Sequence, residues 1–207
     1  MNVDLIKTCK IEEALTSALN DKGVFIINSK ERNIPFESVL FTGETLRNNK
    51  NKKDRISKLI ISSDKRGSGK TLSCLAYALA EVYYYNNSIT IFTVPNQAFI
   101  NSISLTFKDA ISKLNELAGN DISLIQIYRN QLIFSNGSRI IFTTYRSLDN
   151  ILCGQTADLI IFDEAQYLSE DLYLRAQPCC LLKKNGLLLM SITNTEIPPE
   201  AFINKLF

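Results

Sequence analysis

Histidine does not occur anywhere in the 207 residues. That absence removes Ser-His-Asp and Cys-His catalysis and imidazole metal sites together, so any general base must be a carboxylate or a lysine. Cysteine is sparse and badly spaced for metal. Cys9, Cys74, Cys153, Cys179 and Cys180 form no paired ligand motif, and the adjacent Cys179 and Cys180 are poorly placed to ligate one ion. They read as reduced thiols of an intracellular protein. Neither sign of charge is in excess, because the formal net charge is +2. No global field therefore draws in nucleic acid, and any basic surface has to be local. Apolar runs stay well short of the ~18 residues of a membrane span, and the first residues carry no signal-peptide hydrophobic region. These features point to a soluble chain with no membrane partner. Internal repeats are also missing. What remains is 45% hydrophobic residues over a length that suits one α/β domain with a substantial core.

The chain is organised around Ser62-Ser63-Asp64-Lys65-Arg66-Gly67-Ser68-Gly69-Lys70-Thr71, caught between the β-like run Lys58-Leu59-Ile60-Ile61 and an apolar helix starting at Lys70. Backbone N–H groups at a helix start have no intrahelical partner, and Gly67 and Gly69 let the backbone close around an anion without a Cβ in the way. Phosphate is the natural guest. Lys70 would bring a point charge to the β/γ-phosphates and Thr71 a hydroxyl to Mg²⁺, with Gly67, Ser68 and Gly69 as the cradle. The P-loop pattern asks for glycine six residues before the lysine, and Asp64 stands there instead.

Taken in order, Leu5, Ile6, Cys9, Leu15, Ala18 and Leu19 suit one face of a helix over residues 2–20, ended by Asn20-Asp21-Lys22-Gly23. Val24-Phe25-Ile26-Ile27 reads as a short strand. Arg47 to Arg55 is a basic, asparagine-rich stretch that reads first as a solvated loop and second as a DNA-backbone contact. Residues 1–57 are thus expected to be a helical or irregular lead-in, and 58–207 the core domain. Leu72 to Tyr83 is apolar around nearly its whole circumference, as in a helix packed on a sheet. Ser88 to Val94 reads as a buried parallel strand ended by Pro95. Ile100, Ile103, Phe107, Ile111, Leu114 and Leu117 then keep helical steps until Gly119. Asn136-Gly137 between Gln131–Ser135 and Ser138–Thr143 signals a hairpin whose two turn positions need positive φ, and it reads as an antiparallel insertion. Asp149 to Gln155 looks irregular. Leu159-Ile160-Ile161-Phe162 and Leu187 to Ile192 are buried strands, and Ser169 to Leu182 is helical in parts, with Pro178 expected to kink or end it. Strands alternating with helices predict an α/β fold with a mainly parallel sheet, flanked by helices and joined by right-handed crossovers.

Ligands of open α/β sheets gather at the carboxyl ends of strands. Three such ends carry polar residues: the glycine loop, Asp163-Glu164 and Thr193-Asn194. A carboxylate just past a buried strand suits Mg²⁺, which takes one or two carboxylates together with phosphate oxygens; Asp163 is that residue. Glu164 is then placed to orient and deprotonate the water that attacks a γ-phosphate. Thr193 and Asn194 are positioned to sense that phosphate by hydrogen bonding.

From about Lys58 to Thr195 this order of motifs resembles the ATPase domain of viral DNA-packaging terminase large subunits, of the tailed-phage and herpesvirus type. The likeness rests on Arg66 four residues before Lys70, the helix after the second core strand and the Asn136-Gly137 hairpin. It rests also on Leu159-Ile160-Ile161-Phe162-Asp163-Glu164-Ala165 and the coupling motif Ser191-Ile192-Thr193-Asn194-Thr195. The resemblance implies a P-loop NTPase of RecA/ASCE type whose ATP hydrolysis drives double-stranded DNA into a capsid. It assigns Lys70 and Thr71 to phosphate and Mg²⁺, Asp163 to Mg²⁺, Glu164 as the catalytic carboxylate and Arg66 to the γ-phosphate. Thr193 and Asn194 would couple hydrolysis to motion. Implied partners are a homo-oligomeric ring of this chain, a portal protein and a small terminase subunit, at the procapsid portal in the host cell. The family's adenine-contacting glutamine upstream of the loop has no counterpart, since Gln97 is the first glutamine in the chain. Its full-length subunits continue into an RNase H-like nuclease, whereas this sequence ends at Phe207, so nuclease activity is not expected of it. The alternatives are a superfamily 1 or 2 helicase-like ATPase, which shares the Gly-Lys-Thr loop and the Asp-Glu-Ala-Gln box, and a nucleotide-binding scaffold without turnover.

Overall fold

Runs rich in apolar residues at Lys58–Ser63, Ile89–Val94, Leu159–Phe162 and Leu187–Thr193 become strands buried over most of their length, as parallel strands require. The computed structural model describes residues 15–19, 24–29, 57–118, 124–128, 130–183 and 185–206, some of them through the backbone alone. In chain order the strands are β1 (Leu15–Leu19), β2 (Val24–Ser29), β3 (Lys58–Ser63), β4 (Ile89–Val94), β5 (Leu124–Tyr128), β6 (Gln131–Phe134), β7 (Arg139–Thr144), β8 (Leu159–Phe162) and β9 (Leu187–Thr193). The helices are α1 (Lys70–Tyr84), α2 (Gln97–Ala118), α3 (Leu148–Leu152) and α4 (Glu170–Leu181). One sheet holds all nine described strands in the order β1-β2-β3-β9-β8-β4-β7-β6-β5. Pairing is parallel from β2 through β7 and antiparallel at both margins.

Alternation along each strand splits the core in two. Leu59 and Ile61 of β3, Leu159 and Ile161 of β8, and Leu187 and Leu189 of β9 pack with Cys74, Leu75, Tyr77, Ala78 and Val82 of α1 and Ile100, Ile103 and Phe107 of α2. Ile60, Ile160, Phe162, Leu188, Met190 and Ile192 point the other way, onto Leu148 and Leu152 of α3, Leu172, Tyr173 and Ala176 of α4, and Phe202 and Ile203 near the C-terminal end. Phe92, Phe107 and Phe142 meet with ring centroids 5.2 to 6.3 Å apart, which locks α2 onto β4 and β7.

The structure corrects several expectations. Leu15–Leu19 is a strand, not part of a helix; it pairs antiparallel with β2, which itself lies beside β3. Pairing with a neighbouring strand overrode a helical spacing only five residues long at that point. The rest of the 2–20 prediction, and the basic stretch from Arg47 to Arg55, lie outside the described residues. The Asn136-Gly137 hairpin pairs β6 antiparallel with β7, and β7 in turn runs parallel to β4 within the sheet. Its turn needs one positive φ, at Gly137 (φ 78), not two. Gly137 N–H donates to Phe134 O and Phe134 N–H to Ser138 O, the pattern of a turn closed by a glycine bulge. The segment expected to be irregular contains α3. Helix α4 continues through Pro178 to Leu181, because the carbonyl that the proline leaves without a helical donor belongs to exposed Leu174 and can bond water.

Candidate functional site

The same alternation builds the site. Continuing the period past β8 and along β9 puts Asp163, Ser191 and Thr193 on the face of Ile161 and Leu189, which is the face that α1 covers. β8 and β9 are parallel with Phe162 opposite Met190, so Asp163 falls beside Ser191. β3 pairs with β9 with Ser63 opposite Thr193, which brings the glycine loop to the same end of the sheet.

The loop from Asp64 to Gly69 turns with Gly67 at φ 71 and Gly69 at φ 94. At Gly69, the residue capping α1, a side chain would meet the left-handed penalty. The first backbone bond of α1 runs from Ser73 N–H to Gly69 O, leaving the N–H groups of Lys70, Thr71 and Leu72 ahead of it, as an anion site needs. Lys70 is buried and its Nζ donates to Lys65 O (3.1 Å) and Ser68 Oγ (3.2 Å), so the ammonium sits inside the loop. Burial lowers its pKa, against the pull of Glu164 and Asp163.

Thr71 Oγ1 donates to Asp163, 2.9 Å from Oδ2 and 3.1 Å from Oδ1. Ser191 Oγ donates to Asp163 Oδ1 at 2.5 Å and accepts from Glu164 N–H at 3.0 Å. Tyr145 Oη donates to the Asp163 carbonyl at 2.7 Å, pinning the backbone from the far side. Asp163 is fully buried, and desolvation pushes its carboxyl up to about 6 in spite of the hydroxyls of Ser191 and Thr71. A carboxylate so placed, given only neutral donors, suits a small divalent cation. No group of three or more His, Cys, Asp or Glu gathers for a metal among the described residues. The donor set of one hydroxyl and one carboxylate therefore fits Mg²⁺, which completes its shell with phosphate oxygens and water, and not an all-protein cage.

Glu164 adopts φ 57, ψ 52, a left-handed conformation that a non-glycine residue holds only when its surroundings enforce it. Its Oε2 accepts from Gln166 Nε2 (2.6 Å) and Thr193 Oγ1 (3.2 Å), and Gln166 Oε1 in turn accepts from Thr193 N–H (3.4 Å). The carboxylate is thus aimed by the residue two ahead and by the end of β9. Just beyond, Asn194 Nδ2 donates to Asp64 Oδ1 (2.8 Å), Thr195 Oγ1 to Asp64 O (3.0 Å), and the Arg66 guanidinium forms a two-pronged pair with Glu196.

Gly67, Ser68, Gly69, Lys70, Thr71, Asp163, Glu164 and Thr193 therefore lie together at one end of the sheet. Arg66 and Asn194 do so differently: one is held by Glu196 and the other by Asp64. Ser191, Gln166, Tyr145 and Glu196 carry roles that sequence reasoning did not assign. Ser191 had a signal, being the one polar residue in Leu187 to Ile192.

A family model described as DEAD/DEAH box helicase matches residues 48–193. The chain belongs to the DEAD/DEAH box helicase family. Among solved structures, this helicase-family domain is similar to the large terminase ATPase domain of Thermus phage P74-26, at 19% identity and TM-score 0.59 over 72% of this chain and 63% of that one. It is similar as well to the large terminase of bacteriophage HK97, at 15% identity and TM-score 0.58 over 79% of this chain and 33% of that one. The Pyrococcus furiosus Hef helicase domain matches at 17% identity and TM-score 0.52, over 84% and 36%. The helicase-family domain thus spans less than two thirds of each of these chains, and the likeness to them is one of fold. No curated protein matches it. Family and fold together make it a helicase-like ATPase domain with the sheet of terminase ATPases. No helix among the described residues is long and apolar enough to cross a membrane.

Proposed function

We propose that the chain binds ATP on the loop from Asp64 to Thr71, hydrolyses it with Glu164, and uses the cycle to translocate double-stranded DNA as a terminase-type packaging motor. The observation that carries this reading is the junction of Thr71, Asp163, Ser191, Glu164 and Thr193 at the carboxyl ends of β3, β8 and β9. It joins a triphosphate cradle to a general base in one hydrogen-bonded unit. Helix α1 offers its free N–H groups and Lys70 to the phosphates. Thr71 and Asp163 would hold Mg²⁺, which when bound neutralises phosphate charge and polarises the phosphoryl group. Glu164 orients a water and takes its proton, which raises the nucleophilicity of the oxygen facing the γ-phosphorus. Bond formation to that oxygen and loss of the β/γ-bridging bond leave ADP and inorganic phosphate. Thr193 feels the change directly through its bond to Glu164, so the end of β9 is where chemistry would become motion.

The partners on this reading are DNA, further copies of the chain in a ring, a portal protein and a small terminase subunit. A second reading, helicase-type strand separation, is favoured by the family match over residues 48–193 and by the Hef fold. Steady-state ATP hydrolysis with and without double-stranded DNA, beside Lys70→Ala and Glu164→Ala, tests the shared core. Turnover stimulated by duplex DNA and lost in both variants is expected. A fork-displacement assay separates the two: unwinding of a forked duplex would replace the packaging reading by the helicase one. Nucleotide binding without turnover, indifferent to Glu164→Ala and to DNA, would leave a scaffold.

A further inference from the structure

The peptide bond between Asp163 and Glu164 is gripped at both ends. Its carbonyl, the Asp163 oxygen, accepts from Tyr145 Oη at 2.7 Å, and its N–H, that of Glu164, donates to Ser191 Oγ at 3.0 Å. A trans peptide is planar, with C=O and N–H pointing opposite ways, so turning that plane would break both bonds together. One peptide earlier, Asp163 N–H donates to Thr93 O at 2.9 Å, which holds the backbone where β8 ends. Beyond the gripped peptide stands Glu164, at φ 57 and ψ 52. The orientation of that peptide sets the Glu164 φ, and without an outside hold a glutamate leaves the left-handed region.

Buried neighbours place Tyr145 for this. It opens the turn Tyr145–Ser147 that follows β7, and Leu148, the first residue of α3, is fully buried just behind it. The Tyr145 ring lies 6.3 Å from that of Phe162, the last residue of β8.

We propose that Tyr145 is a positioning residue for hydrolysis: with Ser191 it holds Glu164 in the left-handed conformation that delivers its carboxylate to Gln166 and Thr193. This rests on the reading of Glu164 as the general base. The phenol acts through the peptide and not on the reacting atoms. Gln166 Nε2 and Thr193 Oγ1 then fix the carboxylate. Without the hydroxyl the peptide keeps one hold of two, and Glu164 relaxes toward right-handed conformations that carry its carboxylate away from them.

Tyr145→Phe keeps the ring against Phe162 and removes only the hydroxyl. Steady-state ATP hydrolysis with duplex DNA, calorimetric binding of ATPγS in Mg²⁺ buffer and thermal melts separate its effects on catalysis, binding and folding. A fall of about 10-fold in kcat is expected, with ATPγS affinity within about two-fold of wild type. Placing 4-aminophenylalanine at position 145, which restores a donor at the far end of the ring, is expected to recover most of that loss. In a Glu164→Gln background, Tyr145→Phe is expected to lower residual turnover no further, because both changes act on one group. An equal loss of ATPγS binding, a full further loss in the Glu164→Gln background, or a Tyr145→Phe chain that does not fold would make Tyr145 a general support of the sheet edge and overturn the proposal. Wild-type kcat in Tyr145→Phe overturns the clamp and leaves the general base standing. Wild-type turnover that is absent, or indifferent to Glu164→Gln, overturns the general-base reading and the clamp with it.

Discussion

Replacing Asp163 by asparagine should make the metal- and nucleotide-free protein more stable at neutral pH, and should change how its stability depends on pH. The Asp163 carboxyl is fully buried and titrates at about 6, against an ordinary 3.8. The folded state therefore holds the proton more tightly than the unfolded chain does. Below pH 4 both states are protonated and the stabilisation is fully present. As pH rises through 6 the folded protein must ionise the group without full compensation, and the stabilisation is lost. About two pKa units at ~1.36 kcal/mol each give a loss of ~3 kcal/mol between pH 4 and 7. Asparagine keeps an acceptor for the hydroxyls of Thr71 and Ser191 and has no such loss. Urea unfolding of wild type and Asp163→Asn in EDTA, followed by circular dichroism from pH 4.5 to 7.5, reads the difference and cancels every other titrating group. The variant should gain ~1–3 kcal/mol at pH 7.5 and almost nothing at pH 4.5. Parallel profiles, or a variant less stable at pH 7.5, would refute the premise that Asp163 is held at a cost for function.

Glu164→Gln should keep ATPγS binding while lowering ATP turnover by a factor on the order of 10²–10⁴, the worth of a general base, as a coupled phosphate-release assay would show. Ser191→Ala removes a donor from Asp163 and an acceptor from Glu164 N–H; it should cost ~1–3 kcal/mol in urea unfolding and slow turnover more than it weakens nucleotide binding. Gly186→Ala lies far from this chemistry, yet its Cβ would come 2.0 Å from the Cys180 carbonyl. It should destabilise the fold by ~1–3 kcal/mol in the same unfolding assay while leaving the kcat of the folded fraction unchanged.

The site was legible where a few adjacent residues carry a whole function. Gly67, Gly69, Lys70 and Thr71 mark a candidate phosphate loop because conformation, charge and hydroxyl must sit within one turn. Asp163 and Glu164 declare themselves by ending an apolar strand. What escaped the sequence acts across the chain: Ser191 reaches Asp163 over 28 positions, Tyr145 reaches its carbonyl over 18, and Glu196 reaches Arg66 over 130. None of these pairings has a local signature, because register and crossover order create them. The fold shows the same division. Strands β3, β4, β8 and β9 were legible from their apolar runs, but not that β9 and β8 slot between β3 and β4. That slotting brings three chain segments to one edge of the sheet. Leu15–Leu19 was misread because a short segment with both periodicities takes its structure from whichever neighbour it meets.

Asp64 shows how such contacts change the meaning of a motif. Judged against the phosphate-loop pattern it is a defect, a charged residue where glycine belongs. In the structure its carboxylate accepts from Asn194 and its carbonyl from Thr195. A glycine there would keep the carbonyl bond and lose the carboxylate. Asp64 thus ties the glycine loop to the segment that follows β9, the segment whose neighbour Thr193 holds the Glu164 carboxylate. A closed path then runs from loop to turn to Glu164 and back through Ser191, Asp163 and Thr71. A loop built to bind phosphate tightly and do nothing else would gain nothing from such a tether. On the proposed motor reading, loop occupancy must be felt at the end of β9, and Asp64 with Asn194 would supply that tether at the one position where the phosphate-loop pattern is broken.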